Sequence, residues 1–148
     1  MALSETQFQA LLEFRTALRR FNNWSEEQAR SAGLTPAKHQ LLLAVKGHPG
    51  NEGPTVGEIA NHLVLRHHSA VGLIDRAVAD GLVQRTSDAG NRSIVRVTLT
   101  PAGIAKLDAL SEAHLEELDH LAPVMRSLWR ALARTDGEIP HPAARSRP

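Results

Sequence analysis

The stretch that most constrains this chain runs from Thr55 to Thr100, TVGEIANHLVLRHHSAVGLIDRAVADGLVQRTSDAGNRSIVRVTLT. It opens with Thr55-x-x-Glu58. In that spacing the threonine oxygen accepts from the third backbone N–H of a helix while the glutamate reaches back to the capping residue. A helix is therefore predicted from Thr55, with Val56, Ile59, Ala60 and Leu63 on its apolar face and a fraying end at 63–65 where a short turn changes direction. A second helix from about His67 places Ala70, Leu73, Ile74 and Ala77 on one face, and Gly81 supplies a left-handed stop. Two short helices joined by a tight turn form the helix-turn-helix plan, whose second helix suits the DNA major groove.

Beyond Gly81, Val83, Arg85, Val95, Val97 and Leu99 alternate with Gln84, Ile94, Arg96 and Thr98. Alternation of this kind predicts two half-buried antiparallel strands. Their connection, Ser87-Asp88-Ala89-Gly90-Asn91-Arg92-Ser93, is rich in turn formers and carries an arginine near its tip. Such a hairpin wing can insert its arginine into the minor groove, where narrow walls concentrate negative potential.

The order helix, helix, D-G-L-V-Q-R at 80–85, an Asp88 wing with Asn91-Arg92, then V-T-L-T-P-A-G at 97–103 resembles the MarR family of bacterial winged-helix transcription regulators. The resemblance extends from about Phe8 to Arg134 and is most specific from Gly81 to Gly103. Where the family pattern of the wing is Asp-x-x-Asp-Arg-Arg, this chain reads Asp88-Ala89-Gly90-Asn91-Arg92-Ser93, one carboxylate and one cation fewer.

At 148 residues the chain has the length of one domain, and it is 42% apolar and 22% charged, as a soluble globular protein is. No apolar run approaches the roughly 20 residues that span a bilayer, so no membrane association is expected. The N-terminus lacks a basic segment ahead of an apolar one, which argues against a secretion signal and for a cytoplasmic location. Cysteine is absent, which excludes disulfides, thiolate metal sites and cysteine nucleophiles. A net charge of +1 says little about nucleic acid, but between Arg66 and Arg96 five arginines face three aspartates, with His67 and His68 beside them. Only Lys38, Lys46 and Lys106 are lysines, so most cations carry the planar fork suited to phosphate and guanine. A GC-rich genome that favours arginine codons would produce the same bias.

On either side of the central unit lie two long helical patterns. Residues from about Ser4 to Ala32 place Phe8, Leu11, Phe14, Leu18 and Phe21 along one stripe, with Gly33 as the stop. Thr35-Pro36 caps and starts the next helix, Ala37 to about Lys46, whose Leu41, Leu42, Leu43 and Val45 make it a core helix apolar nearly all round. Residues 47–54, GHPGNEGP, read as a loop. After Thr100-Pro101 a long amphipathic helix is expected to about Leu121, with Ile104, Leu107, Leu110, Leu115, Leu118 and Leu121 as its stripe. Pro123 interrupts it, and a shorter helix with Val124, Leu128 and Leu132 follows. Residues 135–148 are expected to form a mobile tail. The predicted organisation is one mainly α domain over 1–134 with a small β-hairpin wing: a winged helix-turn-helix at 35–100, flanked by dimerisation helices at 4–32 and 101–134. The terminal stripes exceed what the winged unit can cover, which predicts a homodimer, as the resemblance also implies; a monomer whose terminal helices cover one another is the rival.

On the second helix of the motif the outward face holds His68, Ser69, Val71, Gly72 and Arg76. Residues near the start of a recognition helix reach base edges, so His68, Ser69 and Val71 are candidates for readout, Val71 against a thymine methyl. Gly72 would allow close backbone approach, and His67 stands beside them at the turn. Arg66 and Arg76 are candidate phosphate contacts and Arg92 the candidate groove contact. Against these stand structural roles: Arg76 paired with Asp80, Arg85 bracing the sheet, and histidines that only fill the turn.

The eight histidines do not show the i, i+4 helical pairing of a metal site, although His39 and His114 could meet between the second helix and the last; no metal and no cofactor are expected. No nucleophile elbow, phosphate-cradling loop or H-E-x-x-H is present, and Ser69, His68 and Asp75 point in different directions on one helix, so no enzyme is expected. The resemblance implies a small aromatic or phenolic acid as effector, in a cleft for which Phe21, Trp24 and His39 are the candidates. The functional expectation is a ligand-responsive repressor acting as a homodimer on palindromic double-stranded DNA. The alternatives are a winged protein-interaction module without DNA binding and a metal-responsive regulator.

Overall fold

The structure is a computed structural model and describes residues 2–133. Its elements in chain order are α1 (Glu5–Ser31), α2 (Pro36–Lys46), α3 (Val56–Leu63), α4 (His67–Ala79), β1 (Val83–Ser87), β2 (Val95–Leu99) and α5 (Pro101–Ala133). They form two compact units, one of residues 23–115 and one made from the two ends of the described chain, up to Asn22 and from Glu116. The expected tail at 135–148, and Arg134, lie outside the described residues.

Capping chemistry sets most helix starts. Ser4 and Gln7 form a capping box at α1: the Ser4 hydroxyl accepts from the Gln7 N–H at 3.2 Å and the Gln7 side-chain Oε1 accepts from the Ser4 N–H at 2.8 Å. The Thr35 side chain accepts from the Lys38 N–H, with Pro36 at the first helical position. Thr55 and Glu58 make the predicted capping box of α3. Thr100 accepts from the Gly103 N–H at 3.1 Å at the head of α5. Each such cap stabilises its helix by about 1 kcal/mol.

The ends of α1, α3 and α4 use left-handed residues. Gly33 has φ +76° and Gly81 φ +72°, as their positions predict. The end of α3 differs, because the left-handed position falls on Val64 at φ 54°, ψ 46°, and no glycine is there. Its N–H bonds to the Ala60 and Asn61 carbonyls, and the Leu65 N–H reaches the Ala60 carbonyl at 2.9 Å, so the turn is satisfied although the residue is β-branched. Left-handed backbone costs an L-residue roughly 1–2 kcal/mol, and the Val64 side chain, 90% exposed, recovers none of it by burial. Val64→Gly is therefore expected to raise the unfolding free energy by about 1 kcal/mol, after glycine's greater freedom in the unfolded chain is subtracted. An unchanged or lower urea midpoint would contradict the strain.

The core of the 23–115 unit gathers Leu41 and Leu42 of α2, Ile59 of α3, Leu73, Ile74 and Ala77 of α4, Leu82, Val83 and Val97 of the hairpin, and Leu107 and Leu110 of α5. The positions predicted to face inward on α3 and α4 do so; on the strands Val83 and Val97 are buried and Leu99 packs against the core, whereas Val95 and Arg85 are exposed. Leu43 does not: it is exposed, because α2 buries only the face carrying His39, Leu41, Leu42 and Val45. β1 and β2 pair antiparallel, Val83 opposite Leu99 and Ser87 opposite Val95. Thr55, just ahead of α3, forms an isolated bridge with Arg96, and the Val97 N–H donates to the Pro54 carbonyl at 2.9 Å, which anchors the hairpin to the start of the helix-turn-helix.

α5 continues through Pro123 to Ala133, where an interruption was expected. Proline removes one N–H and crowds the preceding turn, at about 3 kcal/mol, but it leaves the hydrogen bonds of the residues on either side in place. In a helix this long, neighbouring turns can carry that loss.

Candidate nucleic-acid interface

α4 begins at Arg66, whose extended backbone (φ −69°, ψ 150°) caps the helix without a side-chain bond. The first N–H groups of α4 thus have no side-chain acceptor, and the positive end of the helix dipole is left to solvent or to an anion. Arg66, His67, His68 and Arg76 are exposed, while Ser69, Val71 and Gly72 are half-buried. The expected pairing of Arg76 with Asp80 is not formed. Lys38 of α2 takes the Asp80 carboxylate instead, and Arg76 enters no ion pair among the described residues. Arg76 folds back along its own helix, so a Cβ on Gly72 would lie 3.3 Å from its guanidinium nitrogen. The space over Gly72 that was expected to admit a phosphate backbone is therefore covered by a cation one turn on.

The hairpin is held to this helix from below. Arg85 on β1 pairs with Asp75 on the exposed side of α4, which gives Arg85 the bracing role. Arg96 on β2 gathers more partners. Its Nε donates to Asp88 at 2.7 Å, one terminal nitrogen donates to the Gly53 carbonyl at 3.1 Å, and the other lies 3.1 Å from Glu52. One guanidinium so joins the base of the wing to the loop between α2 and α3. The hydrogen bond from Arg96 holds the Asp88 carboxyl below the usual carboxylate range, and Asp88 in turn raises Arg96.

The wing tip closes on its own side chains. The second oxygen of Asp88 accepts from the N–H groups of Gly90 (3.0 Å) and Asn91 (2.9 Å), and the Asn91 side-chain oxygen accepts from the Ser93 N–H (3.1 Å) and hydroxyl (2.6 Å). These are Asx turns. At the two departures from the family pattern, then, Asn91 keeps an acceptor oxygen and Ser93 a donor, and what the wing loses is charge. Arg92 sits between them, exposed and in no ion pair among the described residues. The Arg96 cluster was not anticipated from sequence, because Gly53 and Arg96 are 43 positions apart and only the fold brings them together.

Of the candidate effector residues, Trp24 and His39 both meet His114 of α5, with ring centroids 4.8 and 4.9 Å away. His114 is fixed at both nitrogens, by the Leu110 carbonyl at 2.7 Å and the Ser25 hydroxyl at 2.7 Å. The meeting of His39 with His114 is thus a ring contact. No three histidine, aspartate or glutamate side chains converge as a metal site among the described residues. Phe21 belongs to the other compact unit.

His39 is buried, and its Nδ1 has no hydrogen-bond partner. Desolvation, helped by His114, lowers its pKa from the ordinary 6.5. The unfolded chain therefore takes this proton at a higher pH than the folded one. The stability contributed by neutral His39 is full above 6.5 and declines as pH falls toward the folded value. The expected slope is at most about 1.4 kcal/mol per pH unit. Urea melts from pH 7.5 to 5 should show it, and His39→Gln should flatten it; an equal slope in both proteins would contradict this role.

A helix-turn-helix followed by a stapled hairpin, with cations outside any ion pair of the described residues on the second helix and at the hairpin tip, is the plan of a winged helix-turn-helix. Residues 32–92 match the model of the MarR family. No curated protein matches the chain significantly. Solved structures share the fold. MepR, a transcription regulator of the Staphylococcus aureus multidrug efflux pump MepA, aligns at TM-score 0.70 and 17% identity over 83% of this chain and 96% of that one. The transcriptional repressor CouR, bound to a 23-mer DNA duplex, aligns at TM-score 0.64 and 24% identity over 90% and 100%. A mutant MarR from E. coli complexed with operator DNA aligns at TM-score 0.60 and 19% identity over 80% and 90%. No helix of the described residues is long and apolar enough to cross a membrane.

Proposed function

We propose that this chain is a MarR-type transcription regulator, a ligand-responsive repressor acting in the cytoplasm as a homodimer on a palindromic operator whose half-sites lie about one helical turn, roughly 10 bp, apart. The observation that carries this reading is the contrast among the arginines. Arg85 and Arg96 are consumed in holding the wing to the frame, whereas Arg66, Arg76 and Arg92 stand outside every ion pair of the described residues. His68, Ser69 and Val71 are the proposed readers of base edges, with His67 beside them. Arg66 and Arg76 neutralise phosphates, and Gly72 is shielded by Arg76.

The dimer is supported by apolar surface on α1 and α5. Phe8, Leu12, Leu115 and Trp129 are 59–65% exposed, a loss of hydrophobic stabilisation that a second copy would recover. The domain plan, with dimerisation helices at 4–32 and 101–134 and the winged unit at 35–100, is part of the same reading. So is an aromatic or phenolic acid effector, for which Phe21, Trp24 and His39 remain the candidate residues; of these, His39 has a buried Nδ1 without a hydrogen-bond partner.

Selection of bound sequences from random duplexes, followed by anisotropy titrations at several salt concentrations, tests the proposal. The expected result is enrichment of an inverted repeat and a preference that changes with Ser69→Ala or His68→Ala. Enrichment of no sequence, with a salt slope no steeper than on random DNA, would favour a protein-interaction module instead.

A further inference from the structure

His48 lies in the loop after α2, and His62 lies in the last turn of α3. The fold sets the Nδ1 of His48 2.9 Å from the Nε2 of His62, with the rings 71° apart in plane. The other nitrogen of His48 is 2.7 Å from the Glu58 carboxylate. A carboxylate accepts only, so Nε2 of His48 carries the proton and its Nδ1 lone pair is aimed at His62.

We propose that His48 and His62 form a binding site for one divalent cation of the zinc class, with Glu58 as the residue that orients His48. Two imidazole nitrogens that face each other across one hydrogen bond, one of them on a ring locked by a carboxylate at its far side, supply the donor pair and the acid that fixes the tautomer of a metal-bound histidine. At bond lengths of 2.0–2.1 Å and a tetrahedral angle the two nitrogens would stand about 3.3 Å apart, so the pair opens by only a few tenths of an ångström. His62 is exposed, and its proton moves from Nε2 to Nδ1, where water receives the hydrogen bond.

Water completes the coordination. A cavity of about 250 Å³ lined by Gln40, Leu43, Gly47 and His62 gives the His62 ring room. The site would tie the 47–53 loop to α3, and that loop carries Glu52 and Gly53, the partners of Arg96. Cation binding by this pair needs no DNA and is measured without it.

The test is calorimetric titration of the full-length, tag-free protein with Zn²⁺ in a non-chelating buffer at pH 7.5, with metal analysis after dialysis. One zinc per chain is expected. His48→Gln and His62→Gln should each weaken binding at least tenfold. Glu58→Gln retains an oxygen to cap Thr55 and should weaken it about tenfold, the low end of the usual 10–100-fold for a second-shell partner. His39→Gln should leave binding as it is. Circular dichroism confirms that each variant is folded. The proposal is overturned if zinc does not saturate, if the His48 and His62 variants bind as the parent does, or if His39→Gln abolishes binding.

Discussion

Gly103→Ala is expected to lower the unfolding free energy by about 3 kcal/mol, at the upper end of what overpacking costs. A Cβ at this position would stand 2.1 Å from the Leu82 carbonyl oxygen and 3.1 Å from its carbon, both backbone atoms. The strand entry cannot step aside. The Thr100 N–H holds the Leu82 carbonyl at 3.0 Å, while the Thr100 hydroxyl donates to the Gly81 carbonyl at 2.5 Å and accepts from Gly103 itself. Separating α5 from the hairpin to admit one methyl would break the cap and the joint together. Gly57→Ala in α3 is the contrasting case. There the nearest atom to a new Cβ is the Thr55 hydroxyl at 3.9 Å, and the change should stabilise by about 0.5–1 kcal/mol through helix propensity alone. Urea midpoints of the two variants should move in opposite directions. A loss below about 1 kcal/mol at Gly103 would mean that the hairpin and α5 are not locked together as described.

Arg92→Ala is expected to weaken operator binding by at least tenfold, since charge-assisted hydrogen bonds contribute about 1.5–3 kcal/mol each and a dimer would use two wings. The loss should be similar on all sequences, and the slope of log K against log salt should fall by about 2, one for each arginine. Thermal stability should hardly change, because Arg92 makes no ion pair among the described residues and the tip is closed by Asp88 and Asn91 without it. Arg96→Ala is the informative comparison: it touches no DNA in this reading, yet it removes the link between Asp88 and the 47–53 loop, so any loss of affinity should come with a looser wing. An Arg92 variant that binds with parental affinity and slope would remove the wing from the interface.

Much of this was legible in the residues. The Thr35, Thr55 and Thr100 starts, the stops at Gly33 and Gly81, and the inward faces of α3 and α4 each depend on side chains within one or two turns of each other. The same local logic holds in Ser4-x-x-Gln7, the capping box that starts α1. It failed at Pro123, where the rule that proline ends a helix describes a local loss that a long helix can carry, and at Leu43, where composition implied burial but only one face of α2 meets the core.

The local pattern by itself determined that this protein is a helix-turn-helix with a two-stranded wing, because caps, glycine stops and apolar periodicity act over a few residues and need no partner from elsewhere. Only the tertiary structure decided which arginines are spent on the scaffold and which are left for a ligand, that Asp80 goes to Lys38 instead of Arg76, and that His48 faces His62. Those outcomes are choices among several chemically equivalent partners, and proximity across the fold, which no spacing in the chain encodes, selects among them.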